Sequence, residues 1–282
     1  MHLLMIGLAL SLAIGLRVIA PWILAKAKSW NKTLFLFVFP PLLVMTTIMA
    51  ILLMGDGQML GLPSGQFSYG VAMALGLWGV ICLGLQLRQV QRTLSNINRY
   101  PQQSLDGLTV RWLAIDFPYC AQVGFWRSQL MMTQGLLDLL SAEQLSAVLA
   151  HEKAHEKYRD TFWFIWLNCL RMMSMALPYT ERLWQELLLL REMRADRLAT
   201  QTTDPLLLAE SLLLIAQAIH RLEPFEFGAV ASVPFHEAQP NRLSDRIDAL
   251  LLPKEIGVGG TRWLLIVLVL VTIPLITIPF HS

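Results

Sequence analysis

The stretch VLAHEKAHEKYRD, residues 148–160, holds two histidines four residues apart with a glutamate directly after the first. On an α-helix a four-residue step is about one turn, so both imidazoles project from one face. Imidazoles placed this way can take adjacent corners of a zinc tetrahedron. Glu152 follows His151 by about 100° around the helix, which sets it beside a metal rather than on it. A carboxylate there is placed to take a proton from an attacking water. The chemistry indicated is metal-assisted peptide hydrolysis, with His151 and His155 as ligands, Glu152 as base and Zn2+ as the cofactor. The three-residue pattern arises by chance in on the order of one chain in a hundred of this length.

A catalytic zinc takes a third protein ligand and keeps one position open. The segment ERLWQELLLLREMRADRLATQ, residues 181–201, carries Glu192 and Asp196 four apart. The residues three and four away from Glu192 are Leu188, Leu189, Ala195 and Asp196; those around Asp196 are Glu192, Met193, Ala199 and Thr200. Two carboxylates therefore share an apolar stripe that has no Lys or Arg of its own. Buried carboxylates need a positive partner from elsewhere in the fold. Glu192 is the expected third ligand. Asp196 is expected to accept a hydrogen bond from a ligand histidine, His151, and so fix its tautomer. The competing reading is an exposed face with Arg191, Arg194 and Arg197 as solvated charges. Glu186 is a weaker ligand candidate, since Arg182 sits four residues before it, and Glu210 is a lone acid.

These side chains need helices to hold them. Ser141-Ala-Glu-Gln144 is a capping box, so a helix is expected from about Ala142 through the histidines. Thr180 is an expected N-cap for the segment with the two carboxylates. Asp204-Pro205 opens a capped apolar helix, PLLLAESLLLIAQAI, read as core.

The rest of the chain is unusually apolar. Of its 282 residues 55% are hydrophobic and 15% charged, with a mean hydropathy of +0.52. Globular soluble chains carry roughly 25% charged residues. The charges are also unevenly placed: from Arg88 onward lie 18 of the 22 Lys/Arg and 19 of the 20 Asp/Glu. Residues 1–25, 33–54, 67–87 and 263–280 are each long enough, or nearly so, to cross a bilayer, which needs about 20 apolar residues. The first is expected to be retained rather than cleaved, because it has no basic leader. Arg17 within it is expected to snorkel to the cytoplasmic headgroups, the alternative being that it faces a polar cavity. Lys26, Lys28 and Lys32 lie between the first two spans, Arg88, Arg92 and Arg99 follow the third, and Arg262 precedes the fourth. Positive loops stay cytoplasmic. The expected layout is three spans in 1–87, a cytoplasmic domain in 88–262, and a fourth span with a short tail in 263–282, both termini outside.

The segment TFWFIWLNCLRMMSMAL, residues 161–177, is strongly apolar but contains Asn168 and Arg171. It is read as a buried or membrane-skimming helix, because a crossing here would put the bilayer between His151 and Glu192. Cys82, Cys120 and Cys169 show no CxxC spacing and suit a reducing compartment for the charged part. The net charge of +2 and the lack of a basic run argue against direct nucleic-acid binding. His220, His236 and Tyr179 are weak candidates to stabilise an oxyanion, whereas His2 and His281 are read as incidental. Gly70, Gly76, Gly79 and Gly84 could allow close packing of spans.

LSAEQLSAVLAHEKAHEKYRD, the REMRAD segment 37 residues beyond the second histidine, NRLSDRIDALL at 241–251 and the four-span layout together resemble the BlaR/MecR-type membrane metallopeptidases. The resemblance covers most of the chain. It implies a mainly α membrane protein whose gluzincin-like α+β zinc peptidase domain lies between spans three and four. It also implies strands at 108–116 and 128–134, in a small sheet whose edge pairs with an extended substrate. His151, His155 and Glu192 carry over as zinc ligands and Glu152 as base. A cytoplasmic transcriptional repressor, or the protein itself, is the implied substrate, and a homodimer the implied assembly. One departure stands out. The sequence ends at Ser282, so the extracellular penicillin-binding sensor is expected to be absent, and β-lactam sensing does not carry over.

Three other readings compete. An intramembrane protease is disfavoured by the charge density of HEKAHEKYRD. A chaperone-like or prenyl-protein-type membrane zinc protease usually places its late glutamate after a longer interval. A non-catalytic zinc-bound signalling or scaffold protein would need a fourth protein ligand, from His220 or His236.

Overall fold

The computed structural model describes residues 2–26, 29–55, 58–59, 62–63, 66–105, 108–221, 240–252 and 262–280. They are mostly helical, with one small sheet. The chain divides into two compact units: Met1–Leu85 with Leu167–Leu188 and Ile256–Ser282, and Gln86–Trp166 with Leu189–Glu255.

The first unit holds the apolar helices, the third of them only as far as Leu85. α1 (His2–Lys26), α2 (Trp30–Met54) and α3 (Gln66–Ile97) each contain a stretch long and apolar enough to cross a membrane. A two-residue strand pair, β1 (Gln58–Met59) and β2 (Leu62–Pro63), lies between α2 and α3. Arg17 departs from the snorkelling expectation. It is fully buried and donates to the Phe37 carbonyl at 3.1 Å, with its guanidinium 5.4 Å from the Phe37 ring. The reason lies in the sequence of α2. Pro41 has no N–H, so the carbonyl four residues back, Phe37, loses its helical partner and becomes an acceptor for the arginine.

The last apolar segment also departs from expectation. It is not one long helix: α10 spans Arg262–Thr272, and Ile273–Phe280 continues as a 3-10 helix. Pro274 cannot donate into the α-helical ladder, and the Thr272 hydroxyl donates to the Leu268 and Val269 carbonyls at the break. Val267 and Val271 pack with Ala9, Phe39 and Leu43 of α1 and α2.

The second unit is built on a four-stranded mixed sheet: β3 (Gln102–Leu105), β4 (Leu108–Leu113), β5 (Cys120–Gly124) and β6 (Ser128–Thr133), in the order β3-β4-β6-β5. The two strands expected from resemblance are β4 and β6, and they form the parallel centre. The edges are β3 and β5. β5 returns antiparallel to β6 through a three-residue turn, Phe125–Arg127, with Gly124 opposite Ser128. Gly124 has φ +146°, and a Cβ there would stand 2.5 Å from the Arg127 carbonyl oxygen, so the turn requires glycine.

Val110, Leu130 and Met132 of the sheet pack with Leu136 of α4 (Gln134–Leu139), with Leu140, and with Val148 of α5 (Ala142–Tyr158). This seats the histidine helix against the sheet. A second cluster gathers Ala147 of α5, Ala199 of α7 (Thr180–Ala199), Leu208 and Ala209 of α8 (Pro205–Arg221), and Leu250 of α9 (Pro240–Leu251). Small residues at 147, 199 and 209 let these helices approach closely. α6 (Asp160–Met173) connects α5 to the chain before α7. At 14 residues it is about 21 Å long, short of a bilayer core of about 30 Å.

Candidate metal centre

α5 begins as its sequence requires. Gln144 N donates to Ser141 Oγ at 3.2 Å, and Ser141 N donates to Gln144 Oε1 at 3.0 Å. It stops at Arg159, which adopts the left-handed conformation (φ 53°, ψ 42°). Between these ends His151, Glu152 and His155 are all buried. The start of α7 differs from expectation. The helix includes Thr180, whose hydroxyl donates back to the Ser174 and Leu177 carbonyls rather than capping forward, and Tyr179 before it has φ 57°.

Three ligand atoms converge. The Nε2 atoms of His151 and His155 are 3.1 Å apart. Glu192 Oε2 lies 3.3 Å from the first and 3.6 Å from the second. These atoms suit a metal: ligands about 2.0–2.1 Å from a tetrahedral zinc stand roughly 3.3 Å from one another. Two imidazoles and a carboxylate also match the donor chemistry of catalytic zinc sites, and the three residues form a group able to hold a metal ion.

The outer nitrogens explain why the inner ones converge. His151 Nδ1 is 2.8 Å from Asp196 Oδ1. His155 Nδ1 is 2.8 Å from Asp160 Oδ2. A carboxylate at Nδ1 keeps that nitrogen the protonated one and leaves Nε2 to ligate once a metal displaces the inner proton. Asp160 was not singled out from sequence as part of the site. It stands just past the end of α5, and the left-handed turn at Arg159 brings it back to His155.

The carboxylates have arginine partners that their own helical stripe could not supply. Arg246 of α9 grips Asp196 with two bonds of 2.8 Å and reaches 3.5 Å from Glu192 Oε2. Arg191 curls back onto Glu192 Oε1 at 2.7 Å while its guanidinium lies 4.8 Å from the Phe164 ring. Arg194 donates to Asp160 and lies over Tyr158 at 4.1 Å. Two of the three arginines of REMRADR thus brace the site, so the solvated-face reading does not describe them. Arg191 is buried outright.

The charges follow this packing. Burial works against the charged Glu192 carboxylate, but Arg191 and the two histidines hold it well below the usual carboxylate range. Burial likewise disfavours charged Asp196, and Arg246 with His151 outweighs it downward. Burial disfavours a charged His155 ring too, yet Glu192 and Asp160 push it up to about 10. His151 is also raised, with Asp196 outweighing burial. Burial raises Glu152, against the pull of both imidazoles. The cluster attracts positive charge at its centre.

Glu152 is fixed from the sheet: the Gln122 N–H of edge strand β5 donates to its Oε2 at 2.8 Å. A hollow of about 260 Å³ lies against Glu152, with Gln122, Gln129, Arg111, Lys153 and Glu156 among its walls.

The remaining candidates fall elsewhere. Glu186, Arg182 and Tyr179 line a separate small pocket in the first unit. His220 is exposed at the end of α8, and Glu210 is exposed on the same helix. His2 lies in α1. His236 and His281, like Lys28 in the first basic loop, are outside the described residues.

No curated protein and no solved structure matches the chain. A family model does, over residues 119–220. The matched stretch runs from the start of β5 through nearly all of α8 and contains His151, Glu152, His155, Asp160, Glu192 and Asp196. The part of the chain that gathers the metal ligands is therefore similar to Peptidase family M48, and this match supports a metallopeptidase hydrolase, in a class of peptidases that depend on a metal, typically zinc.

Proposed function

We propose that the protein is a membrane-anchored zinc endopeptidase that cuts a protein in the cytoplasm. The observation that carries this reading is the convergence of His151, His155 and Glu192 beside the buried carboxylate of Glu152. A zinc ion bound to the three would supply Lewis-acid polarisation of the scissile carbonyl and of water. The chain's own residues do the rest. Asp196 and Asp160 hold the rings of His151 and His155 in their ligating orientation. Glu152, steadied by the Gln122 N–H, takes the proton from the attacking water and returns it to the leaving amine. The hollow against Glu152 gives a peptide room beside the base.

Three long apolar helices support membrane anchoring. We assign them to residues 1–87, the peptidase domain to 88–262, and a fourth span to 263–282. An 11-residue α-helix and an 8-residue 3-10 helix in series reach roughly 30 Å, enough for the hydrocarbon core. The basic loops support a cytoplasmic peptidase domain with both termini outside. The BlaR/MecR-type resemblance supports a transcriptional repressor, or the protein itself, as substrate and a homodimer as the assembly, while the net charge of +2 and the lack of a basic run argue against direct contact with nucleic acid.

The test is zinc content and cleavage, measured together on reconstituted protein with labelled cytoplasmic proteins as substrates. The parent should hold about one zinc and cut. Glu152→Gln should keep the zinc and lose about 10²–10⁴-fold in rate, the usual contribution of a general base. Undiminished cleavage by that variant would remove Glu152 from the mechanism. A folded parent without zinc would remove the peptidase reading altogether.

A further inference from the structure

The turn between β5 and β6 and the first half of α6 form an aromatic surface that the peptidase chemistry does not use. Phe125 and Trp126 stand at the tip of the turn; Phe162, Trp163 and Trp166 stand on α6. The rings touch one another: Phe125 to Phe162 at 5.4 Å, Trp126 to Phe162 at 5.3 Å, and Phe125 to Trp166 at 6.2 Å between centroids. Nevertheless Trp126 is 66% exposed, Trp163 57% and Trp166 38%. Arg159 lies over both the Trp126 and Phe162 rings, at 5.3 and 5.1 Å. Arg127, at the same tip, is exposed as well.

A patch of this kind needs an occupant, and its chemistry selects one. Tryptophan and phenylalanine with arginine beside them suit the headgroup layer of a bilayer, where the rings meet the acyl boundary and the cations meet phosphate. Within residues 124–127 and 159–166 the one acid is Asp160, which is buried and paired with His155 and Arg194. The surface is therefore purely cationic where it is charged, as anionic lipid requires. The same chain also supplies the membrane: it has three helices able to cross one, and α6 runs on from Trp166 into the segment Leu167–Leu188, which groups with those helices. A protein partner would need no such arrangement of Trp and Arg with acids left out.

We propose that Phe125, Trp126, Phe162, Trp163 and Trp166, with Arg127 and Arg159, form a lipid-docking surface seated in the headgroup–acyl boundary of the bilayer. Trp126 and the base-fixing Gln122 are four residues apart along the β5 turn, and Arg159 follows His155 by four. Docking here holds the metal-ligand helix at the membrane surface, whatever reaction the centre performs.

The experiment uses the full chain in phosphatidylcholine/phosphatidylglycerol vesicles, with Cys82, Cys120 and Cys169 replaced. Trp126→Cys, Trp163→Cys and the exposed control Glu143→Cys are labelled with an environment-sensitive fluorophore. Labels at 126 and 163 should be quenched several-fold more by lipid-borne nitroxide than by aqueous iodide, and the label at 143 the reverse. Iodide access at 126 and 163 equal to that at 143 would overturn the proposal. Protection from both quenchers would also overturn it, in favour of a second copy or another protein covering the patch. Should the cysteine variants fail to fold, the Trp126→Phe/Trp163→Phe pair in brominated-lipid vesicles gives the same answer. Its intrinsic fluorescence should be clearly less lipid-quenched than the parent's, and an unchanged quenched fraction would count against docking.

Discussion

Asp160 and Asp196 stand in the same place on two different histidines. Each sits 2.8 Å from the outer nitrogen of its ring, and each is held in turn by an arginine, Arg194 or Arg246. Partners of this kind fix the ligand's tautomer and orientation, and their loss commonly costs about 10–100-fold in metal affinity. Asp160→Asn and Asp196→Asn should each weaken zinc binding within that range, read by competition against a chelator of known affinity. Unaltered affinity in Asp160→Asn would mean that His155 keeps its orientation without the carboxylate. Replacing Arg246 should have a different signature. Arg246→Met strands Asp196 as a buried carboxylate whose main cation is gone, so a fall in thermal stability should accompany the loss of zinc. Asp196→Asn in the same background should recover part of that stability, because it removes the stranded charge.

At the scale of elements, the stabilising features are local and can be tested locally. Ser141→Ala removes one half of the reciprocal cap that starts α5 and should destabilise the protein by about 0.5–2 kcal/mol, measured as a lowered Tm at full zinc occupancy. Gly135→Ala should be more severe, since a Cβ there would lie 2.0 Å from the Asp116 carbonyl oxygen at the junction of β6 and α4. The first effect was legible in the sequence and the second was not, and the contrast is instructive. A capping box, a His-x-x-x-His face and a Glu-x-x-x-Asp stripe are encoded within one helix, so spacing alone brought out His151, Glu152, His155, Glu192 and Asp196. Asp160, Arg191 and Arg246 depend on how the chain turns between helices. Asp160 needs the left-handed residue at 159, Arg191 needs its side chain folded back along α7, and Arg246 arrives from fifty residues away through the packing of Leu250 and Ile247 against Ala147 and Ala199. Two prolines were legible but under-read: Pro41 gives Arg17 its buried acceptor, and Pro274 ends α10.

For the whole molecule the decisive question is which side of the membrane holds the metal centre. The convergence of His155 with Glu192 bears on this directly. The chain between them includes α6, which is too short to cross a bilayer, and the two side chains meet within 3.6 Å. Any residue on α5 therefore reports the compartment of the entire centre. On the proposed layout that compartment is the cytoplasm and the α2–α3 connection lies outside. In a background without native cysteines, Gln58→Cys should react with a membrane-impermeant maleimide on intact cells. Glu143→Cys, exposed at the first turn of α5, should react only after the membrane is opened. Labelling of Glu143→Cys on intact cells would place the centre outside, where no transcriptional repressor resides, and the substrate would have to be sought among exported or surface proteins. The expected pattern would confine the substrate to proteins that reach the inner membrane face. With the aromatic surface docked as proposed, it would further favour peptide segments close to the lipid, since a site held at the headgroups meets juxtamembrane chain before it meets anything dissolved in the cytoplasm.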